Sequence, residues 1–483
     1  MFSAYRQVCS RNSRFCTLLS NYLTTVHLST RCETEKIKLR QPFAISVGNS
    51  PIQASNGEEA FFFLKDDAKV FIHGGAATPT LLISEFYKYV MDKKLKNISA
   101  YHIHTEGPFP ITNPEAAGHL RSVSLFTGGN CREPIESGRA DYIPIFLSEI
   151  PQLFRRNIIK LDAALLNISP PDHNGFCSLG PSVDVARGAV ESAKYLVGQI
   201  NPSLPVTFGD AHIHISNFTS VIHGDMPCHC MKPRSVSEAE EKIGALIAEN
   251  LVDDGATLQT GIGAIPDSVL ARLTKHRDLG IHTEMFSDGV INLVECGAVT
   301  NSNKKLRPGK TVTSFVIGTE KVFKFLHNNA SIDFCDVAWV NKPSTIARNP
   351  KPVAINSCIE VDLTGQIVSD SIGIRIYSGF GGQVDFIRGA ALAEDGLGKP
   401  IIALTSTTHK GESKISSYIK EGAGVVTTRA HAHYIVTEYG IASLFGRCLR
   451  QRAHALIQIA HPNHRESLEK AAFEHLKVMP SAG

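Results

Sequence analysis

Nowhere in the 483-residue chain is there an uninterrupted apolar run of the roughly 18 residues that a membrane-crossing helix needs, which excludes a helical transmembrane protein. No charge dominates either. Lys and Arg outnumber Asp and Glu by only three, 49 against 46, too small a surplus to argue for nucleic acid or a charged membrane surface as partner. Cysteine is sparse for this length, eleven residues, of which Cys9, Cys16 and Cys32 fall near the N-terminus; the scatter of the rest fits reduced thiols. The most local absence is of acid: no Asp or Glu precedes Glu33, while Arg6, Arg11, Arg14 and Arg31 stand among many Ser and Thr. That composition predicts a mitochondrial presequence over residues 1–32 and a matrix location. A secretory signal would need a continuous apolar centre, and Cys16-Thr17-Leu18-Leu19-Ser20-Asn21 interrupts it. The plain alternative is a disordered tail.

What remains is too long for one core and fits two. From Lys69 the chain reads as a strand (Lys69-Val70-Phe71-Ile72-His73), a small-residue turn (Gly74-Gly75-Ala76-Ala77-Thr78-Pro79) and an apolar-periodic helix through Val90, an α/β unit. The same order returns at Asp253-Asp254 through Gly261-Ile262-Gly263-Ala264-Ile265-Pro266. One offset, 187 residues, separates Asp66 from Asp253, Gly74 from Gly261 and Pro79 from Pro266. This predicts an internal duplication: two homologous open α/β domains facing each other across a cleft, over 38–226 and 236–475, with ligand between them. The linker is placed at 225–236, before the capped, acidic helix start Ser237-Glu238-Ala239-Glu240-Glu241. Further strands are expected at Thr311 to Ile317, Val337 to Val340 and Val353 to Val361, with short buried runs at Ile401 to Leu404 and Gly424 to Thr427.

The chemistry centres on Glu284. In Leu279-Gly280-Ile281-His282-Thr283-Glu284-Met285-Phe286-Ser287-Asp288-Gly289 a strand end delivers one carboxylate to a small-residue turn, giving it a route to a cleft. By itself such a Glu is more often a solvated or hydrogen-bonded structural acid. Two glycine loops add weight. Gly261-Ile262-Gly263, between a strand and a helix opened by Pro266, can aim backbone N–H groups at an anion or a developing oxyanion. A dinucleotide fingerprint would need glycine at 266, where proline stands. Ser378-Gly379-Phe380-Gly381-Gly382-Gln383-Val384-Asp385-Phe386 lets the backbone pass close to a ligand. One carboxylate and two glycine loops suit acyl transfer at a carbonyl.

These three segments, with Ser169-Pro170-Pro171-Asp172-His173-Asn174-Gly175-Phe176-Cys177-Ser178-Leu179-Gly180 and Val436-Thr437-Glu438-Tyr439-Gly440-Ile441-Ala442, resemble the acetyl-CoA hydrolase/transferase family, including 4-hydroxybutyrate and mitochondrial acetate:succinate CoA-transferases, over roughly residues 38 to 475. The resemblance implies two related α/β domains with the active site between them, and Glu284 as the catalytic glutamate that becomes a glutamyl-CoA thioester. It also implies that the backbone N–H groups of Ile265 and Gly382 form an oxyanion hole. CoA contacts would come from Gly261, Ile262, Gly263, Ala264, Ile265, Gly381, Gly382 and the backbone of Ile359. CoA is then a substrate, with no permanently bound cofactor and no metal. Acetyl-CoA and small carboxylates are the partners, with succinate the preferred acceptor, and a homo-oligomer is expected. Water reaching the thioester would make the same site an acetyl-CoA hydrolase, and a non-catalytic CoA sensor is the reading from another class.

Other signals have plainer readings. His212, His214, His223, Cys228, His229 and Cys230 lack zinc spacing, since Cys-x-Cys is one residue short, and read as structural or surface groups. Cys296, with no cation or helix start to activate it, reads as a buried small residue. Tyr439 reads as packing at a helix start, with a place in the cleft wall beside Glu438 as the alternative, and Lys410 reads equally as a solvated loop lysine or as a contact to a CoA phosphate. The run Lys304-Lys305-Leu306-Arg307-Pro308-Gly309-Lys310 reads as a solvated loop, with a cation-lined mouth for a phosphate-bearing ligand as the alternative.

Overall fold

A computed structural model describes residues 38–232, 235–261 and 263–482; the presequence expected over 1–32 lies outside the described residues, as does Ile262. The first half builds one eight-stranded sheet. Its order is Ile52–Gln53, Ser220–His223, Tyr195–Ile200, Ala163–Ile168, Lys69–Ile72, Ile98–His102, Leu120–Ser124 and Asp141–Tyr142, every pair parallel. Parallel strands need covered faces, and the residues alternate accordingly. Val70, Ile72, Ala163 and Leu165 point into a core with Phe61 and Phe86, while Phe71, Ala164 and Leu166 point the other way, toward Phe154. The Thr80–Asp92 helix supplies part of the first layer, burying Leu82, Ile83, Phe86, Tyr89 and Val90 at helical spacing.

The second half holds a six-stranded sheet in the order Gly280–Ile281, Thr257–Thr260, Pro352–Ser357, Lys399–Ala403, Tyr434–Thr437 and Gly440–Ser443. It is parallel up to the final antiparallel pair. Its inner face, with Leu258, Val353, Ile355, Ile401 and Ala403, belongs to the same continuous core as Phe71 and Leu166 of the first sheet. The outer face, with Ala354 and Ile402, packs on Phe386 and Leu456. The molecule is therefore a mixed α/β structure in which two sheets share a central apolar layer. The strand opening the second unit starts at Thr257 and that of the first at Lys69, 188 residues apart and one off the offset in the sequence. As expected, Ser237 caps the Glu238–Asn250 helix in a reciprocal box with Glu240. Among the described residues no helix is long and apolar enough to cross a membrane.

Several local readings are corrected. Val337–Val340 is a short helix capped by Asp336, whose side chain accepts from Ala338 N at 2.8 Å; four apolar residues carry no period, and the cap decides. Thr311 to Ile317 splits at Ser314 into Thr311–Thr313 and Phe315–Val316, which join different sheets. Val353 to Val361 likewise divides into Pro352–Ser357 and Glu360–Asp362. Gly424 to Thr427 makes a single bridge, Thr427 to Ile367. Ser287 does not open a turn but stands at the N-cap position of the Asp288–Glu295 helix, with no hydrogen bond from its side chain to the first turn. Cys296 ends that helix and is exposed. Tyr439 sits in the reversal between two antiparallel strands, against His461. The basic run is not uniformly solvated: Lys304 is buried and donates to Ile281 O and Lys310 O at 2.7 and 2.6 Å, and burial pulls its amine down to about 7.

Candidate active site

Glu284 lies where the chain changes sheets. Gly280–Ile281 pairs with Thr257–Thr260, and four residues later Met285–Phe286 pairs with Phe315–Val316. The break leaves Glu284 in neither ladder, and its backbone is held by other means. Its carbonyl accepts from Ser314 N at 3.0 Å, Phe315 N at 3.2 Å and Thr313 Oγ1 at 3.2 Å. Thr283 next to it ties Thr260 O and Met285 O through one hydroxyl. A side chain on so fixed a backbone has little freedom to miss its target.

Its carboxylate meets two donors. Asn341 Nδ2 donates to Oε2 at 2.6 Å, and the backbone N–H of Gly382 donates as well. A β-carbon on residue 382 would overlap Glu284 Oε2 and Asn341 Nδ2. The backbone there has φ −98°, open to any residue, so glycine is required by Glu284 and not by conformation. Burial pushes the Glu284 carboxyl up to about 7; Asn341 and the Gly382 N–H oppose the rise, while Asp385 and Asp184 add to it.

Around this carboxylate is a cavity of about 160 Å³ lined by Gly75, Ile103, His104, Phe126 and Leu147 from the first half and by Gln259, Thr260, Gly261, Met285, Phe315, Ile317, Asn356 and Gln383 from the second. Most of these stand at or just beyond the carboxyl ends of parallel strands, where ligands of open α/β sheets bind. The amides of Gln259 and Asn356 bond to each other, Asn356 Nδ2 to Gln259 Oε1 at 3.0 Å. Gln383 donates to Ser357 O at 2.8 Å and accepts from Ser369 and Thr427 hydroxyls. The floor is thus polar but internally paired, and the walls are apolar.

The second glycine loop is gripped by the first half. Leu147 N donates to Gly381 O at 3.0 Å and Thr127 N to Ser378 O at 3.3 Å. Phe126 lies against Gly379 and Gly381, and the Phe146 and Phe380 rings meet edge to face at 5.6 Å. Gly381 has φ +57°, where glycine is favoured.

The structure brings together Glu284, Gly261 and Gly382, but treats the other sequence-derived positions differently. Ile265 is the second residue of the Ala264–Arg272 helix, 7% exposed, in the first turn, where N–H groups have no intrahelical acceptor. Gly263, with φ +116°, caps that helix. It lines a separate outer cleft with Lys232, Asp267, Asp288 and Lys321, which shares Ile317 with the inner cavity. The N–H of Gly261 is already given to Ile355 O at 3.1 Å. That of Ile359 is given to Val368 O at 2.8 Å, leaving its carbonyl for any ligand. The histidine cluster disperses: His214 bonds Ser216 Oγ and Asn174 O, His223 bonds Gln53 and His229 bonds Thr80. Sequence reasoning missed Asn341, His104 and Phe126. For His104 and Phe126 a signal existed, since each lies just past a parallel strand; for Asn341 there was none.

Residues 53–248 match the model of the acetyl-CoA hydrolase/transferase N-terminal domain and residues 318–472 that of its C-terminal domain. A Fasciola hepatica protein named succinyl-CoA:acetate/propanoyl-CoA:succinate CoA transferase is 67% identical over 455 residues, 94% of this chain and 95% of that protein. A 4-hydroxybutyrate coenzyme A transferase of Clostridium kluyveri is 43% identical over 412 residues, 85% of this chain and 95% of that one. Among solved structures, RipA from Yersinia pestis aligns with a TM-score of 0.83 at 32% identity, covering 88% of this chain and 98% of RipA.

Proposed function

The chain belongs to the acetyl-CoA hydrolase/transferase family, and from that premise we propose that it moves CoA from acetyl-CoA to a carboxylate acceptor, preferentially succinate, through a thioester on Glu284. The observation that carries this reading is the carboxylate itself: Glu284 sits in an apolar-walled cavity between the halves, with the Gly382 N–H and the Asn341 amide on it.

Attack by Glu284 on the thioester carbonyl gives a tetrahedral oxyanion, for which the first-turn N–H of Ile265 is the donor. Collapse expels CoA thiolate and leaves a mixed anhydride. Thiolate then attacks the glutamyl carbonyl, whose oxygen already lies on the Gly382 N–H, so the second oxyanion forms where its donor waits. The first acid leaves, and an incoming carboxylate runs the steps in reverse. CoA is held by the Gly261 to Ile265 loop, Gly381, Gly382 and the Ile359 carbonyl. The eight-stranded sheet over 52–223 and the six-stranded sheet over 257–443 support assigning the two halves as domains 38–226 and 236–475, although the N-terminal family model runs on to residue 248. The acid-free leader supports matrix import, and a reporter carrying residues 1–32 that stayed outside mitochondria would refute that assignment.

Apolar walls favour transfer over hydrolysis, because the glutamyl thioester must wait for an acid while water is kept from it. The test is total thioester after mixing purified protein with acetyl-CoA, with and without succinate. Retention as succinyl-CoA only when succinate is present is the expected result; equal loss in both would make the protein a hydrolase.

A further inference from the structure

Asp385 takes part in none of the steps above. It stands in the first turn of the Gln383–Ala391 helix, 5% exposed, and its acceptors are filled from the opposite half of the molecule. Ser148 Oγ donates to Oδ1 at 2.9 Å and Ser148 N to Oδ2 at 3.4 Å. The Asn341 amide that donates to Glu284 at 2.6 Å also donates to Asp385, so one NH2 group stands between two buried carboxylates. Asn341 Oδ1 is buried without a partner. Turning the amide over would pair that oxygen with nothing better and set it against both carboxylates. The charges acting on the pair from neighbouring elements are Asp184, which accepts from Ser182 Oγ and the N–H of Ala186 and faces His73, and Glu149, before the Ile150–Arg155 helix. Both are acidic.

We propose that Asp385 is a positioning residue that acts on Glu284 through Asn341 and by direct repulsion, raising the free energy of the Glu284 carboxylate relative to its CoA thioester. The inference rests on the Glu284 reading and concerns its energetics. In the half-reaction, acyl-CoA and the Glu284 carboxylate become the Glu284 thioester and a free carboxylic acid anion. The acyl C–S bond breaks and a C–S bond to the glutamyl carbon forms; the departing acid takes one former Glu284 oxygen with it. Negative charge therefore moves from the buried side chain to a molecule that leaves. A fixed second carboxylate beside the first penalises only the starting side, and this lifts both the basicity of the nucleophile and the proportion held as thioester. Burial places Asp385 itself at about 7 against the pull of Ser148 and Asn341, so the push is strongest above neutrality, where both groups are ionised.

The test uses Asp385→Asn, which retains an acceptor for Ser148 and removes the charge. Whole-protein mass spectrometry after incubation with acetyl-CoA and known acetate gives the ratio of CoA-bearing to free enzyme. At pH 8 the equilibrium constant for thioester formation is expected to fall about tenfold, and the acid limb of the kcat/KM profile to move down by about one unit, the same tenfold factor. A merely structural role would lower kcat and leave both readouts in place. Ser148→Ala, which withdraws the hydroxyl donor from Asp385 while keeping the backbone N–H and so discourages its ionisation, is expected to shift them in the same direction by less, and serves if the first variant fails to fold. An unchanged ratio and acid limb in a folded variant overturns the proposal while leaving Glu284 intact. Absence of any adduct in the unaltered protein refutes the Glu284 reading and this inference with it.

Discussion

The two strand–glycine–helix units were indistinguishable by spacing, yet they do different work. In the first, Gly75 with φ +58° turns the chain back against His104, and the half contributes Ile103, Phe126 and Leu147 to the cavity with His104 its one titratable group there. In the second, the helix begins at once after Gly263, and the half contributes Glu284, the paired amides and the Gly382 N–H. One half supplies the wall and the grip, the other the carboxylate and its donors. Parallel sheets fix where a site can be, at the carboxyl ends of the strands, and leave its polar groups to side chains on one side.

The sharpest way to break this contrast is on the reacting side. Glu284→Gln is expected to lower transfer on the order of 10⁴-fold or more with CoA binding retained, measured by turnover alongside calorimetric titration; ordinary turnover would remove Glu284 from the reaction. Gly382→Ala should cost on the order of 10²- to 10³-fold in kcat, because its methyl displaces both Glu284 and Asn341, while unfolding temperature moves little. On the wall side the effect is smaller and different in kind. Phe126→Ala should cost roughly tenfold in transfer and raise the share of thioester lost to water, read by assaying acetate and total thioester together. An unchanged share would mean that the wall does not exclude water.

The titration of Glu284 separates function from stability. In the proposed reaction the carboxylate is the attacking form, so kcat/KM should fall about tenfold per pH unit below about 7. The same raised value makes the charge a burden on the fold: it titrates near 4.5 when unfolded and about 7 when folded, so the penalty is complete above about 7 and vanishes below about 4.5. Glu284→Gln should therefore stabilise the protein by about 3 kcal/mol at pH 8 and not at pH 4 in denaturant titrations. Equal stability at pH 8 would indicate that the carboxylate is better solvated than its surroundings imply.

Much of this was legible in the chain because it is local. Val70, Ile72 and Phe71 alternate for a sheet covered on both faces, Ser237 and Glu240 announce a helix, and Gly280 to Glu284 announces a strand that ends. What was not legible depends on partners far along the chain. Asn341 reaches Glu284 from a helix of four apolar residues that reads equally as strand. Lys304 is buried because its stem runs under Gly280, where a β-carbon would strike it, a contact no composition reveals. Asp385 was visible within its motif, but its meaning comes from Ser148, 237 residues away in sequence.

The grip of Leu147 and Thr127 on the Ser378–Gly382 backbone bears on the life of the chain before it is finished. Synthesis runs from the N-terminus, so a growing chain holds Leu147, Thr127 and Glu284 before it holds the 378–382 loop that they meet, and the Gly382 N–H reaches the Glu284 carboxylate only in a chain extended past residue 382.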